Sequence, residues 1–219
     1  IITTPFTFIS TSETIALLGA KPVFVDVDEE TFNIDVNLLE PKITHKTKAI
    51  IPVSLFGQVA DMDEINRLAE KHNLSVIEDA AQSFGATYKG EKSCNLSTIA
   101  CTSFFPAKPL GCFGDGGAVF TNNNALAEKI KSLRVHGQTQ PYTHNYIGIG
   151  ARLDNLQATI LLVKLKNYNE AITLRQAAAE RYHKMLHDLI ETPIVRDYNT
   201  SVWAQYSIRI PSRDLIKSK

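Results

Sequence analysis

Residues 74–82 read Leu74-Ser-Val-Ile-Glu-Asp79-Ala-Ala-Gln82, a short β-rich run that ends in a carboxylate. Runs of the same kind, rich in Val, Ile and Phe, predict further strands at residues 22–27, 49–53, 99–104 and 117–121. Helical patterns occur among them at residues 12–18, 61–72 and 124–135, with Asp61 and Asn124 placed as helix caps. This alternation is typical of βαβ units, so we predict an α/β protein with a mainly parallel sheet.

The pattern changes after Gly150. Apolar spacing from Leu153 to Tyr168 predicts one long amphipathic helix, and residues 171–190 predict a second. Residues 192–201 are polar and have the composition of a linker, and residues 205–210 resume the alternation of a strand. We therefore predict a large α/β domain over residues 1–150. Bridging helices and an incomplete C-terminal domain are predicted over residues 151–219, with both ends of the chain truncated.

The charge and apolar composition exclude two classes of partner. Lys plus Arg and Asp plus Glu each number 23 among the 219 residues, so the formal net charge is zero. A balanced, interspersed charge gives no basic surface for nucleic acid. No apolar run reaches membrane-spanning length, and no signal-peptide pattern opens the chain, so we expect no membrane partner.

Cysteine and histidine give little indication of a metal site. Cys94, Cys101 and Cys112 are odd in number and irregular in spacing, which favours a reducing cytoplasm over a disulfide framework or a zinc site. His183 and His187 stand four residues apart on a predicted helix. No further ligand accompanies them at metal-binding spacing, so we expect no metal.

Polar side chains follow several predicted strands, at the edge where open α/β sheets bind ligands. These are Asp26, Asp28, Ser54, Asp79 and Ser103. This placement alone identifies no cofactor. No Gly-x-Gly-x-x-Gly opens a helix after a strand, and no P-loop lysine is present, which weakens a dinucleotide- or ATP-binding interpretation.

Lys108 gives the site its chemical character. It lies in Ser103-Phe-Phe-Pro-Ala-Lys108-Pro-Leu-Gly111, and Gly114-Asp-Gly-Gly117 follows. We expect its apolar neighbours to bury the amine and to lower its pKa toward the range of a nucleophile; these are Phe104, Phe105, Pro106, Leu110 and Phe113. Such a lysine with a strand-end carboxylate, here Asp79, suits a pyridoxal phosphate enzyme. There the lysine forms a Schiff base and the acid keeps the pyridine nitrogen protonated.

Each candidate residue taken singly has another interpretation. A strand-end aspartate such as Asp79 often caps the next helix, and most lysines, Lys108 included, are exposed. Ser103 alone fits a satisfied core hydroxyl, and Phe8 alone fits core packing. Their occurrence in order, with a glycine-rich turn, favours the cofactor site.

Several motifs together resemble the DegT/DnrJ/EryC1/StrS family of sugar aminotransferases. They include Glu-Asp79-Ala-Ala-Gln82, Ser103-Phe-Phe-Pro-Ala-Lys108 and Gly114-Asp-Gly-Gly117. The resemblance runs from residue 1 to about residue 210 and takes in Arg134-Val-His-Gly137 and Arg152-Leu-Asp-Asn-Leu-Gln157. It implies the three-layer, mainly parallel fold type I of pyridoxal phosphate-dependent transferases, with the start of a small C-terminal α+β domain. Relative to that family, a leading segment with a Gly-Thr phosphate-binding turn is missing.

The resemblance also implies roles for individual residues. Lys108 and Asp79 would be catalytic, Lys108 carrying the cofactor and Asp79 facing the pyridine nitrogen. Gln82 would lie near the pyridoxal 3-oxygen, Ser103 would bind the phosphate, and the aromatic ring of Phe8 would stack on the pyridine ring.

The role of Arg152 and the effect of Gly150 are not decided by the sequence. Arg152 is a candidate for binding a substrate carboxylate, or alternatively for an ion pair with Asp154 or another acid nearby. Gly150 stands where relatives usually carry an Asn that reaches the neighbouring subunit's cofactor phosphate.

The implied activity is transfer of an amino group to a keto nucleotide-sugar, with glutamate as amino donor, in a cytoplasmic homodimer. The motifs Arg134-Val-His-Gly-Gln138 and Ile147-Gly-Ile-Gly-Ala-Arg152 point more narrowly to enzymes that aminate C3 of UDP-linked sugars. The alternative is a truncated or degenerate relative that binds pyridoxal phosphate or a partner without turnover.

Overall fold

The computed structural model describes residues 1–211 and 213–217. The strands in chain order are β1 (Ile2–Thr3), β2 (Val23–Phe24), β3 (Ala49–Ile50), β4 (Ser75–Asp79), β5 (Thr87–Tyr88), β6 (Glu91–Lys92), β7 (Ile99–Ser103), β8 (Gly117–Phe120), β9 (Gln138–Gln140), β10 (Thr143–His144) and β11 (Asn199–Thr200). The α-helices are α1 (Ser10–Leu17), α2 (Met62–Lys71), α3 (Asn124–Leu133), α4 (Asn155–Lys166), α5 (Tyr168–Leu186) and α6 (Arg213–Lys217). Two short 3-10 helices span Val36–Leu38 and Glu40–Lys42.

Six strands form the main sheet in the order β2-β1-β3-β4-β7-β8. All neighbouring pairs are parallel except β7 and β8, so the antiparallel strand lies at one edge. The prediction of an α/β fold with a mainly parallel sheet is confirmed. The strands predicted at residues 22–27 and 49–53 are shorter than expected, and only isolated bridges at Val27 and Val53 continue them.

The core lies between this sheet and α2. Met62, Ile65 and Leu68 recur at helical spacing on one face of α2 and are buried, because that face packs into the same cluster as Ile50 and Val76 of the sheet. The opposite face of α2 is charged and exposed. This arrangement fixes the carboxyl ends of the central strands, where the candidate site residues lie.

The two C-terminal helices differ from the prediction at their junction. The long helix predicted to reach Tyr168 ends at Lys166, and Tyr168 begins α5 instead. Tyr168 is buried and donates a hydrogen bond of 2.6 Å from its hydroxyl to the carbonyl oxygen of Phe84. Its ring lies against Gly85, where a Cβ would stand 2.8 Å from Cε1 of Tyr168, so no larger residue fits there without rearrangement. Packing against Phe84 and Gly85 therefore accounts for the start of α5.

Both predicted helix caps need correction. Asn123, not Asn124, caps α3, since its side chain accepts the backbone N–H of Leu126 at 3.1 Å. Asp61 does precede α2, but its carboxylate makes no capping bond and accepts the hydroxyl of Tyr198 at 2.8 Å instead.

The polar stretch at residues 192–201 is not a free linker. It includes β11, which pairs with β5, and its backbone is held by the amide of Gln58, which donates to Ile194 O and accepts from Arg196 N. The strand predicted at residues 205–210 is wrong, because only an isolated bridge between Glu191 and Arg209 forms there. The domain boundary near residue 150 stays a prediction.

Candidate active site

Asp79 ends β4 at the carboxyl edge of the main sheet. Thr11, buried on α1, donates its hydroxyl to Oδ2 of Asp79 at 2.7 Å, and the backbone N–H of Ala81 donates to Oδ1 at 3.2 Å. A turn rather than a helix follows Asp79, so the helix-capping interpretation of this residue is wrong. Both carboxylate oxygens are thus held, and the group is fixed in one orientation.

Lys108 lies on a loop that leaves the neighbouring strand β7. The loop closes on itself, because Cys112 donates from both its backbone N–H and its thiol to the carbonyl of Phe104, at 2.7 and 2.9 Å. Gly111 packs on the carbonyl of Pro106, where a Cβ would lie only 2.5 Å away, so the closure requires glycine. The backbone N–H of Lys108 bonds to the carbonyl of Phe105 at 2.9 Å, which places Lys108 within a tight turn.

The surroundings of Lys108 only partly match the predicted apolar wall. Phe104 and Leu110 are buried, whereas Phe105 is exposed and Phe113 is 72% exposed. Lys164, rather than Lys108, lies against the ring of Phe113, with Nζ 4.9 Å from its centroid. Of the five residues predicted to surround Lys108, only Phe104 and Leu110 are buried.

The predicted fall in the basicity of Lys108 is nevertheless confirmed in direction. Burial lowers the pKa of the Lys108 amine below its usual value, while the negative charge of Asp79 raises it and partly offsets that effect. The charge of Asp79 is thus close enough to act on the amine, although the two groups form no ion pair within the described residues. A lysine of lowered pKa beside a carboxylate is suited to nucleophilic and proton-transfer chemistry.

Two neighbouring thiols do not compete with this amine as nucleophiles. Burial raises the pKa of Cys94 to about 12 and that of Cys101, the register partner of Asp79, to about 11. Both therefore remain neutral thiols near neutral pH.

Ser103 ends β7 and is half-buried, not a satisfied core hydroxyl. Its Oγ accepts the backbone N–H of Phe105 at 3.2 Å. Within residues 1–211 and 213–217, its own hydrogen is donated to no protein atom. That donor is available to an anionic group at the strand end.

Phe8 lies outside the core. Its side chain is 71% exposed, just before α1, so the core-packing interpretation is wrong. An exposed ring face at this position is available to stack on a planar ligand.

Gln82 follows Asp79 in the same turn region, and its amide Nε2 donates to Oε1 of Gln205 at 3.2 Å. This contact brings the C-terminal segment to the site. Sequence reasoning missed Gln205, because it assigned that segment to a strand outside the α/β domain.

Arg152 is exposed and stands apart from this group. It lines a cavity of about 850 Å³ with Lys131 and Arg134, and the lining of this cavity includes neither Asp79 nor Lys108. No ion pair between Arg152 and Asp154 forms within the described part of the chain. The ion-pair interpretation of Arg152 is therefore not met in the described residues, whereas its role toward a substrate carboxylate stays a prediction.

Gly150 allows a close approach by His136. A Cβ at residue 150 would lie 3.1 Å from Nε2 of His136 and 3.2 Å from its Cε1. A side chain larger than hydrogen at residue 150 would therefore displace the imidazole of His136 by a few tenths of an ångström.

Thr11 is the main functional candidate that sequence reasoning missed. The available signal was a threonine three residues after the aromatic Phe8, but its contact with Asp79 joins positions 68 residues apart. Asp26 and Asp28, in contrast, are engaged in structural contacts: Asp26 accepts the backbone N–H of Val27 at 2.8 Å, and Asp28 accepts that of Thr31 and pairs with Arg196 at 3.6 Å.

The described residues contain no group of three or more His, Cys, Asp or Glu side chains placed to hold a metal ion. Over the same ranges, every helix is too short or too polar to cross a bilayer.

Comparison with known proteins adds relatives in sequence and in structure. A UDP-2-acetamido-2-deoxy-3-oxo-D-glucuronate aminotransferase from Pseudomonas aeruginosa is 56% identical over all of this chain, which covers 61% of that relative. A crystal structure of a DegT/DnrJ/EryC1/StrS aminotransferase from Brucella abortus superposes with a TM-score of 0.96 at 43% identity, over 99% of this chain and 60% of that one.

A second structure shares the fold and carries a cofactor. NtdA from Bacillus subtilis with bound cofactor PMP superposes with a TM-score of 0.90 at 32% identity, over 99% of this chain and 50% of that one. The chain thus spans 61%, 60% and 50% of the length of these three proteins. These neighbours confirm the fold type I prediction for the α/β sheet.

The family model that describes the DegT/DnrJ/EryC1/StrS aminotransferases matches residues 1–219, the whole chain. The chain therefore belongs to the DegT/DnrJ/EryC1/StrS aminotransferase family.

Proposed function

We propose that this chain is the cofactor-binding part of a pyridoxal phosphate-dependent aminotransferase. One observation carries the proposal: Lys108, whose pKa burial lowers, follows the strand next to the one that ends in the oriented carboxylate of Asp79, and the charge of Asp79 acts on its amine. When bound, pyridoxal phosphate supplies an electron sink that allows an amino group to move from a donor to a carbonyl.

The residues present fit this cofactor. Asp79 offers a fixed carboxylate for a protonated ring nitrogen, and Phe8 offers an exposed aromatic face for the ring. Ser103 has a hydroxyl hydrogen free to bind a phosphate oxygen. Gln82 would reach the 3-oxygen from the turn after Asp79.

Lys108 has two tasks in this proposal. Its Nζ would hold the cofactor through the aldehyde carbon, for which the amine must be neutral, and burial lowers its pKa in that direction. Once the amino donor takes its place, the free Nζ would move a proton from the donor's α-carbon. Asp79 would face the ring nitrogen and hold the proton there throughout.

We propose a keto nucleotide-sugar as amino acceptor and L-glutamate as donor. The name of the Pseudomonas aeruginosa relative supports a UDP-linked 3-keto sugar. Both substrates are anionic, and Arg152, exposed with no partner acid in the described ranges, remains our candidate for a carboxylate. Amino sugar biosynthesis in the cytoplasm fits the three free cysteines.

A homodimer is part of the proposal. Apolar side chains project from the segment between β9 and α4, where Ile147 is fully exposed and Tyr142 is 96% exposed. Leu162 and Val163 of α4 are also exposed, at 63% and 59%. A second copy covering these surfaces would bury them, and sedimentation of the purified chain measures whether it does.

Absorption spectroscopy tests the function. With pyridoxal phosphate added, the chain is expected to gain a visible band that Lys108→Ala abolishes. The matched control Lys131→Ala, at an exposed lysine paired with Glu128, is expected to retain the band. Adding glutamate is expected to bleach the band. A colourless wild-type chain would refute the proposal, and a band that glutamate leaves unchanged would favour the alternative of binding without turnover.

A further inference from the structure

The carboxylate of Asp79 is held by a residue on a distant element. Thr11, only 6% exposed, donates its hydroxyl hydrogen to Oδ2 across a separation of 68 residues. At 2.7 Å this bond has the usual O–H···O distance, and a hydrogen bond to a carboxylate is about twice as strong as one between neutral groups. The carboxylate torsion of an aspartate is otherwise soft, so this bond selects one orientation.

A second hydroxyl, that of Thr7, supports Thr11 in this bond. Thr7 Oγ1 lies 3.4 Å from Thr11 Oγ1. A hydroxyl has a single hydrogen, and Thr11 spends its own on Asp79, so Thr7 is the donor in the pair. Thr7 therefore donates to Thr11, and Thr11 donates to Asp79, because each hydroxyl has only one hydrogen to give.

The same short segment carries Phe8. The backbone N–H of Thr11 bonds to the carbonyl of Phe8 at 3.4 Å, inside the span closed by the Thr7–Thr11 contact. One segment, residues 7–11, therefore places both an aromatic ring and the hydroxyl that holds Asp79.

We propose that Thr11 is a positioning residue that orients the Asp79 carboxylate toward the cofactor ring nitrogen and ties it to the segment that carries Phe8. This inference rests on the proposed function for the identity of the ligand. With Oδ2 held by Thr11, Asp79 presents its remaining lone pairs in one direction. The position of the Phe8 ring relative to this carboxylate is then fixed as well, because both depend on residues 7–11. A purely structural threonine would instead affect folding alone.

Cofactor affinity is the first test. Thr11→Val keeps the shape and removes the hydroxyl, and is expected to weaken pyridoxal phosphate binding about tenfold, the effect of one such hydrogen bond. Thr11→Ser is expected to restore most of the affinity and the position of the visible band. Thr14→Val is the matched control, because the Thr14 hydroxyl bonds only to helix carbonyls, with Ser10 O at 3.0 Å.

A double-mutant cycle separates positioning from a general structural role. In an Asp79→Ala background, Thr11→Val is expected to cause no further loss of affinity, since its target is gone. Equal losses in both backgrounds would overturn the proposal, as would a Thr11→Val chain that binds like the wild type.

Unfolding in urea, without cofactor, keeps this inference distinct from the proposed function. The midpoint shifts of Thr11→Val and Asp79→Ala are expected to be less than additive in the double variant. If the wild-type chain takes up no pyridoxal phosphate, the proposed function fails, and non-additive midpoints still support the hold of Thr11 on Asp79. Additive midpoints overturn that hold whatever the chain binds.

Discussion

Glu78, next to Asp79 in β4, is a buried carboxyl that the proposed chemistry does not use. It is 0% exposed and accepts bonds from the Ser93 hydroxyl at 2.7 Å and the Cys94 N–H at 3.0 Å. Burial raises the pKa of Glu78, and the hydrogen bonds only partly offset this. The native state therefore disfavours the charged form.

This raised pKa gives a signed dependence of stability on pH. Above the ordinary value of about 4.5, the unfolded chain ionises Glu78 before the folded chain does, so the folded state binds more protons. The contribution of Glu78 to the free energy of unfolding is complete below pH 4.5, and it is lost as the pH rises toward the pKa of Glu78 in the folded state. The loss has a maximum slope of about 1.4 kcal/mol per pH unit. Glu78→Gln, which cannot ionise, is expected to remove this component.

Urea unfolding at a series of pH values from 4 to 8 measures the effect. The free energy of unfolding of Glu78→Gln, minus that of the wild type, is expected to rise with pH and then level off. Subtraction of the two curves cancels the pH dependence that other groups contribute. Glu40 is one such group: its bonds to Lys71 and His72 lower its pKa to about 2, so its contribution to stability has the opposite dependence on pH. The exposed Glu70→Gln is the control and is expected to follow the wild type. A Glu78→Gln curve parallel to the wild type at every pH would refute the reasoning.

Three further predictions concern stability. Tyr168→Phe removes the 2.6 Å bond to Phe84 O in a buried setting and is expected to cost about 1–3 kcal/mol in urea unfolding, so no measurable loss would contradict the bond. Gly85→Ala meets both a positive φ of 97° and the ring of Tyr168, and is expected to lower the unfolding midpoint more than Gly19→Ala, which meets open space. Asn123→Ala removes the cap of α3 and is expected to cost about 1 kcal/mol; an equal cost for Asn124→Ala would contradict the corrected cap.

The sequence predicted the parts of the fold that depend on local pattern. The apolar strands, the α2 period and the position of Asp79 at a strand end all follow from spacing along the chain. The lowered pKa of Lys108 was also predicted, although Phe105 and Phe113 turned out to be exposed. Local composition gave the right direction because burial of the amine outweighs the opposing effect of the Asp79 charge.

The missed features depend on contacts between distant segments. The bond from Thr11 to Asp79 exists only after α1 packs beside the end of β4, and no periodicity encodes that approach. The contact between Gln82 and Gln205 likewise requires the C-terminal segment to fold back. Propensity also misplaced the start of α5, because the packing of Tyr168 decided it.

The central claim is that Lys108 is the residue that bonds to pyridoxal phosphate. Borohydride reduction of the chain with pyridoxal phosphate, followed by proteolysis and mass spectrometry, locates the bond directly. The account predicts the pyridoxyl adduct on the peptide that contains Lys108, at stoichiometric yield. An adduct spread over surface lysines, or absent from Lys108, would contradict it.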